Sequence, residues 1–238
     1  LPIQAYSFRE VDEPLIRQVH EATSLRILEE VRAFCHPERS EGPSGAAGEE
    51  GSSPAAQNDI EAVIRRRGSA RRFERTSISR AALEGILRAA GPALPADWGG
   101  ILSQPYLIVN AVDGLEAGAY FYDRTAGALQ PLRLGDYRAI AGHLDLDQEL
   151  AGDAAINVYF LADLQAVLAR LGERGYRAAQ LDASVAAGKL YLASYAAGLA
   201  ASGLTFYDEE VTDFFSPHAQ GKSVMFLLAA GNRASRAS

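Results

Sequence analysis

The stretch Arg65–Phe73, which reads RRRGSARRF, places five arginines together in a 238-residue chain whose formal net charge is -7. Like charges packed this closely repel one another, and a bound anion is the simplest way to offset that repulsion. Gly68 and Ser69 in the middle let the backbone turn and bring a hydroxyl and free N–H groups, the parts of a small phosphate cradle. The competing reading is a basic helix end, because arginine favours the last turn of a helix and glycine stops it. Local spacing alone favours the helix end, so the choice rests on the surroundings.

Other chemistry is sparse. No serine sits in a nucleophile-elbow glycine pattern, and no G-x-G-x-x-G run follows a strand. Cys35 is the single cysteine, which excludes an intrachain disulfide and a cysteine metal cluster, and it reads as inert. His20, His36, His143 and His218 lie scattered without ligand spacing, so no metal is expected. Asp145, Asp147 and Glu149 alternate with other residues, but no glycine stands where a calcium loop turns sharply, and a solvated turn is the reading. Tyr120, Tyr122, Tyr159, Tyr176, Tyr191, Tyr195 and Tyr207 read mainly as packing residues. Catalysis, if any, falls to a bound cofactor with its phosphate on Arg65–Phe73 and its ring against a central sheet.

Composition narrows the class. With 48% hydrophobic and 22% charged residues, the chain buries a substantial core in one domain. An acidic net charge with one basic loop argues against a nucleic-acid partner. No apolar run reaches the length of a membrane span, and the opening LPIQAYSF lacks a signal-peptide pattern. The expectation is a cytoplasmic protein.

Three regions follow from the pattern: a helical arm over 1–35, a flexible linker over 36–58, and a main domain over 59–238. Residues 13–34 carry a helical apolar stripe, whereas 36–58 are Gly, Ser, Pro, Ala and Glu without a large apolar residue. A short helix is predicted over Asp59–Arg67. A clearer one runs over Arg80–Ala90, with Ser79 as N-cap and Ile78 stapled to Leu83. Pro105–Val112, Gly118–Asp123 and Ala128–Leu134 read as an antiparallel meander. Short helices follow near Asp136–His143 and Asp147–Ala151, then a buried strand Ala154–Ala162 and a helix Asp163–Leu171. The longest helix spans Arg177–Leu199 and is rich in small residues, which suits close crossing by another element. Leu204–Tyr207 is short and extended, Asp208 caps a small helix, and Lys222–Ala230 is the last strand. The class is α+β.

The run Arg67, Gly68, Ser69, Ala70, Arg71, Arg72, Phe73 resembles the opening motif of the flavin-dependent nitroreductase-like superfamily. Within it, His20-Glu21-Ala22-Thr23, the Gly114–Asp123 hairpin, Glu173–Arg177 and Leu190–Ala193 are similar, in order, to the SagB-type dehydrogenases. The resemblance implies a nitroreductase-like fold: a central, mostly antiparallel sheet flanked by helices. It implies FMN, with Arg67 and Ser69 on the phosphate and Arg71 toward the flavin ring. It further implies the Thr205 and Phe206 backbone at flavin N5, and Gly231 and Arg233 near the phosphate. NAD(P)H as reductant, a small-molecule or peptide substrate, and a homodimer with flavin at its interface complete the expectation.

Three departures stand out. Pro95-Ala96-Asp97-Trp98 replaces the subgroup's Pro-Ser-Ala-Gly, Phe206 stands where a glycine is usual, and Arg170-Leu171 replaces the Lys-Tyr pair of azoline-oxidising members. Arginine stays protonated and is no general base. The alternative is therefore a non-catalytic domain of this fold, acting as a scaffold or peptide-binding partner.

Overall fold

The computed structural model describes residues 60–234 apart from Glu61 and Pro92. The expected arm over 1–35 and linker over 36–58, with Cys35, lie outside the described residues. Helical residues 62–66 lead into the arginine stretch, and the Arg67 N–H still bonds Val63 O at 2.9 Å.

The strands are β1 (Phe73–Glu74), β2 (Gln104–Val109), β3 (Gly118–Asp123), β4 (Ala128–Leu134), β5 (Ile156–Ala162), β6 (Ala200–Gly203) and β7 (Ser223–Arg233). They form one sheet in the order β1-β7-β5-β2-β3-β4, with β6 also on β7, and every strand pair is antiparallel. The predicted meander is β2-β3-β4. The helices are α1 (Arg80–Ala90), α2 (Arg138–Leu144), α3 (Glu149–Asp153), α4 (Leu164–Leu171), α5 (Gly175–Ala196) and α6 (Asp208–Phe215).

Strand alternation sends side chains to two cores. Leu107 and Val109 of β2 join Val158 and Phe160 of β5 under α1 and α5, while Tyr106 and Ile108 join Tyr159 and Leu161 under α2 and α6. Helix α5 buries Ala178, Ala179, Ala183, Ala186 and Ala187, and these small side chains let it lie close to the sheet and to α1. Helix α1 forms as its sequence requires. Ser79 Oγ accepts from Ala82 N–H at 3.2 Å, and Leu83, Ile86, Leu87 and Ala90 are buried. Ile78 is buried in the same core and also bridges to Val112.

The structure differs from the sequence expectations after α5. The helix starts two residues early, at Gly175, and stops at Ala196. Gly198 takes a left-handed φ of 78°, and Ala200–Gly203 becomes a strand. Its Ala-Ala-Ser-Gly sequence has no strand propensity; pairing with β7 overrides it. That pairing, with β1 on Asn232 and Arg233, extends β7 past Ala230. Asp208 is the first residue of α6 rather than its cap, and Tyr207 holds the N-cap position. With Glu209 and Glu210 it places three acids in the first turn, complementing the helix dipole. No helix among the described residues is long and apolar enough to cross a membrane.

Candidate functional site

The arginine stretch leaves its helix at Gly68 and turns over the C-terminal part of α5. Tyr191 and Tyr195 there each donate a hydroxyl to Gly68 O at 2.7 Å. The Tyr191 hydroxyl also lies 3.3 Å from Ser69 Oγ. Ala70, buried, fixes the far side of the turn by donating to Ala201 O of β6 at 2.9 Å. Three guanidiniums gather on the same tyrosines: Arg66 donates to Tyr195 O at 3.0 Å, Arg67 lies over the Tyr191 ring at 5.1 Å, and Arg233 donates to Tyr195 Oη at 3.3 Å.

Sheet register brings Arg233 here, since it pairs with Phe73 across β1 and β7. Gly231 lies two residues back on β7, and a Cβ there would stand 2.9 Å from Ala155 N and 3.3 Å from the Phe73 ring. Gly231 is thus a close-packing residue that lets β1 and its arginine loop sit down on the sheet. Of the seven residues singled out from the sequence, Arg67, Ser69, Gly231 and Arg233 come together. Arg71 is exposed on the same loop.

Thr205 and Phe206 lie elsewhere, beyond the end of β6. Thr205 Oγ1 is 3.5 Å from Gln148 Nε2, and Phe206 packs on the core under α2 and α6. Tyr207 N–H donates to Leu144 O at 2.9 Å. Strand β6 links the two places: Ala201 meets the arginine loop, and Thr205 follows four residues on, a reach of about 13 Å at 3.3 Å per residue.

Residues 64–231 match the nitroreductase family, well over half of the chain. The chain belongs to the nitroreductase family. Among solved structures, the nitroreductase from Anabaena variabilis is similar at 26% identity and a TM-score of 0.69, over 75% of this chain. The chain spans only 39% of that protein's length. The Escherichia coli microcin synthetase McbBCD complex, with truncated pro-MccB17 bound, contains a chain with the same fold at 16% identity and a TM-score of 0.62, over 97% of this chain and 85% of that one. The NADPH:FMN oxidoreductase from Vibrio harveyi, complexed with NAD+, shares the fold at 14% identity and a TM-score of 0.54, over 75% of this chain and 70% of that one. No curated protein sequence matches the chain significantly.

Several residues that shape this candidate site were not singled out from the sequence. Tyr191 and Tyr195 read as core packing, yet their hydroxyls hold the turn; a four-residue spacing on a small-residue helix was the available signal. Arg66 carries nothing in the sequence that separates it from the other arginines of the stretch. Arg124 and Asp182 carried no signal at all, and they form a fully buried ion pair at 2.9 Å. Asp182 Oδ2 also accepts from Ser103 N–H at 2.9 Å and Ser103 Oγ at 2.7 Å, while Arg124 donates to Ala90 O and Ser103 O. This pair pins the 91–103 segment to α5. In that segment Trp98 packs against the core and Gly99 O accepts from Arg170 at 3.4 Å. Arg170 therefore ties down a loop.

The donor set at Gly68 suits a phosphate. Arg66, Arg67 and Arg233 supply positive charge, and Ser69 supplies a hydroxyl. The carbonyl that would repel an anion has both lone pairs taken by tyrosine hydroxyls. Among the described residues no carboxylate pairs with Arg67 or Arg71. Also among the described residues, no group of acidic, histidine or cysteine side chains is placed to hold a metal ion.

Proposed function

We propose that this chain is an FMN-dependent oxidoreductase of the SagB type, with NAD(P)H as reductant and a small molecule or peptide as substrate. The observation that carries the reading is the convergence of Arg66, Arg67, Arg233 and Ser69 on Tyr191 and Tyr195, the two tyrosines whose hydroxyls cap the Gly68 carbonyl. Arg67 and Ser69 would hold the phosphate, Arg233 would close it from β7, and Arg71 would reach from the exposed loop toward the ring. Positive charge at that edge stabilises the negative charge that reduction brings. Thr205 and Phe206, at the far end of β6, would face the ring through their backbone. FMN, when bound, supplies reversible hydride acceptance between reductant and substrate.

The chain's own side chains then bind and orient rather than react. Arg170 donates to a loop carbonyl, and a guanidinium offers donors but no acceptor, so proton abstraction of the azoline-oxidising kind is not assigned to it. A homodimer with flavin at its interface is part of the proposal, supported by exposed Ile64 and Leu181, the latter on α5. The 59–238 region is proposed as the catalytic unit, with 1–35 as an arm joined by the 36–58 linker.

The decisive experiment is FMN titration of the purified protein, followed by visible absorbance and flavin fluorescence. Saturable uptake by the wild type, lost in Arg67→Ala/Ser69→Ala while circular dichroism is unchanged, supports the reading. A protein that neither purifies with flavin nor takes up added FMN overturns it.

A second reading is favoured by Phe206. A bulky, half-buried side chain packed against the core stands where the subgroup has glycine, which suits a non-catalytic scaffold that binds a peptide partner. A scaffold retains partner affinity in Arg67→Ala/Ser69→Ala.

A further inference from the structure

The turn after α2 is strained and tied at both ends. Leu146 and Asp147 are consecutive non-glycine residues with φ of 58° and 57°. Left-handed backbone costs about 1–2 kcal/mol at each such residue and persists only where the surroundings enforce it. Here the enforcement is visible. Asp145, fully buried, accepts from Tyr159 Oη of the central strand β5 at 2.8 Å. Gln148 Nε2 donates to Asp145 O at 2.8 Å and reaches Thr205 Oγ1 at 3.5 Å. A continuous chain of polar contacts thus runs from β5 through Asp145 and Gln148 to Thr205.

The same turn grips the next residues. Tyr207 N–H donates to Leu144 O at 2.9 Å, and Tyr207 Oη lies 3.4 Å from Asp147 Oδ2. His143 bridges Asp147 and Glu210 at 2.8 Å each, joining α2 to α6 on either side of the segment. Gln148 also lines a cleft of about 530 Å³ with Arg138, His143 and Asp147. A strained turn with no task relaxes; one that orients a neighbouring backbone keeps its strain.

We propose that Gln148, held by Asp145 and Tyr159, is a positioning residue that sets the Thr205–Tyr207 backbone against the edge of the bound cofactor's ring. This rests on the flavin reading above for its purpose, though not for the contact itself. Gln148 donates both of its hydrogen bonds from Nε2, so a glutamate of the same shape cannot replace it.

Gln148→Ala and Gln148→Glu test this, first by amide hydrogen exchange without added flavin. The expected result is exchange at 205–207 roughly tenfold faster in both variants, with β5 and β7 unchanged. FMN is then titrated into wild type and variants. A shifted flavin spectrum or reduction potential in both variants supports the proposal. Unchanged exchange at 205–207 overturns it, and so does faster exchange with an unaltered spectrum and potential. If wild type takes up no FMN, the flavin reading falls, and the cofactor-positioning role falls with it; the exchange result then reports the Gln148–Thr205 coupling alone.

Discussion

Tyr191 and Tyr195 stack at 5.8 Å with ring planes 9° apart, and both aim their hydroxyls at one carbonyl oxygen, that of Gly68. One helical turn of α5 therefore sets the arginine loop twice over. Removing either hydroxyl leaves the other in place. Tyr191→Phe and Tyr195→Phe should each cost about 0.5–1.5 kcal/mol, read as a shift in thermal midpoint. The double variant frees the Gly68 lone pairs to face the anion. Its FMN affinity should fall by more than the product of the two single effects, measured by fluorescence titration. An unchanged affinity in the double variant removes the tyrosines from the site.

Two glycines of the site make opposite demands. A Cβ on Gly68 meets nothing within 4 Å, whereas one on Gly231 meets Ala155 N at 2.9 Å and the Phe73 ring at 3.3 Å. Gly231→Ala must push β7 away from the Ala155 backbone and the Phe73 ring and should cost roughly 1–3 kcal/mol. Gly68→Ala should fall within about 1 kcal/mol of wild type. Urea unfolding of the two variants orders them. Equal stability would mean that the β7 end yields more easily than its packing indicates.

The difference between those glycines shows what the sequence reveals. Gly68 stands out because it interrupts five arginines, and the loop it makes is a local property of the chain. Helix α1 was legible for the same reason, since Ser79 caps it from the adjacent residue and its apolar face repeats at helical spacing. Gly231 matters through residues far away in the chain, and spacing carries no trace of them. Strand β6 was hidden because Ala-Ala-Ser-Gly continues an alanine-rich helix in composition, and only pairing with β7 makes it a strand. Arg124 and Asp182 are 58 residues apart and look like ordinary surface charges until the fold buries both.

That buried pair sets the next expectation. Asp182 Oδ2 takes donors from Arg124, Ser103 and Leu102, so its loss strands a cation and two backbone N–H groups. Arg124→Met should cost about 3–5 kcal/mol, because the carboxylate it leaves behind is uncompensated. Arg124→Met/Asp182→Leu should cost less than the sum of the single variants, since neither charge remains buried alone. A double-mutant cycle in urea gives the coupling directly. Strict additivity would show that water reaches the pair.

Asp145 supplies the pH dependence. Burial pushes its carboxyl up to about 8, against the opposing pull of the hydrogen bond from Tyr159, and Oδ2 has no partner. An unfolded aspartate titrates at about 3.9, so between those values the native state keeps a proton that the unfolded state has lost. Stability should therefore fall as pH rises from about 4 to about 8 and level off above, by several kcal/mol in total. The side-chain amide introduced by Asp145→Asn has no acidic proton to lose, keeps an acceptor for Tyr159, and removes that slope. The variant should match wild type near pH 4 and exceed it by a margin that grows toward pH 8. Urea unfolding at four pH values across that window measures the difference. Parallel curves for the two proteins would mean that Asp145 is ionised in the native state at neutral pH.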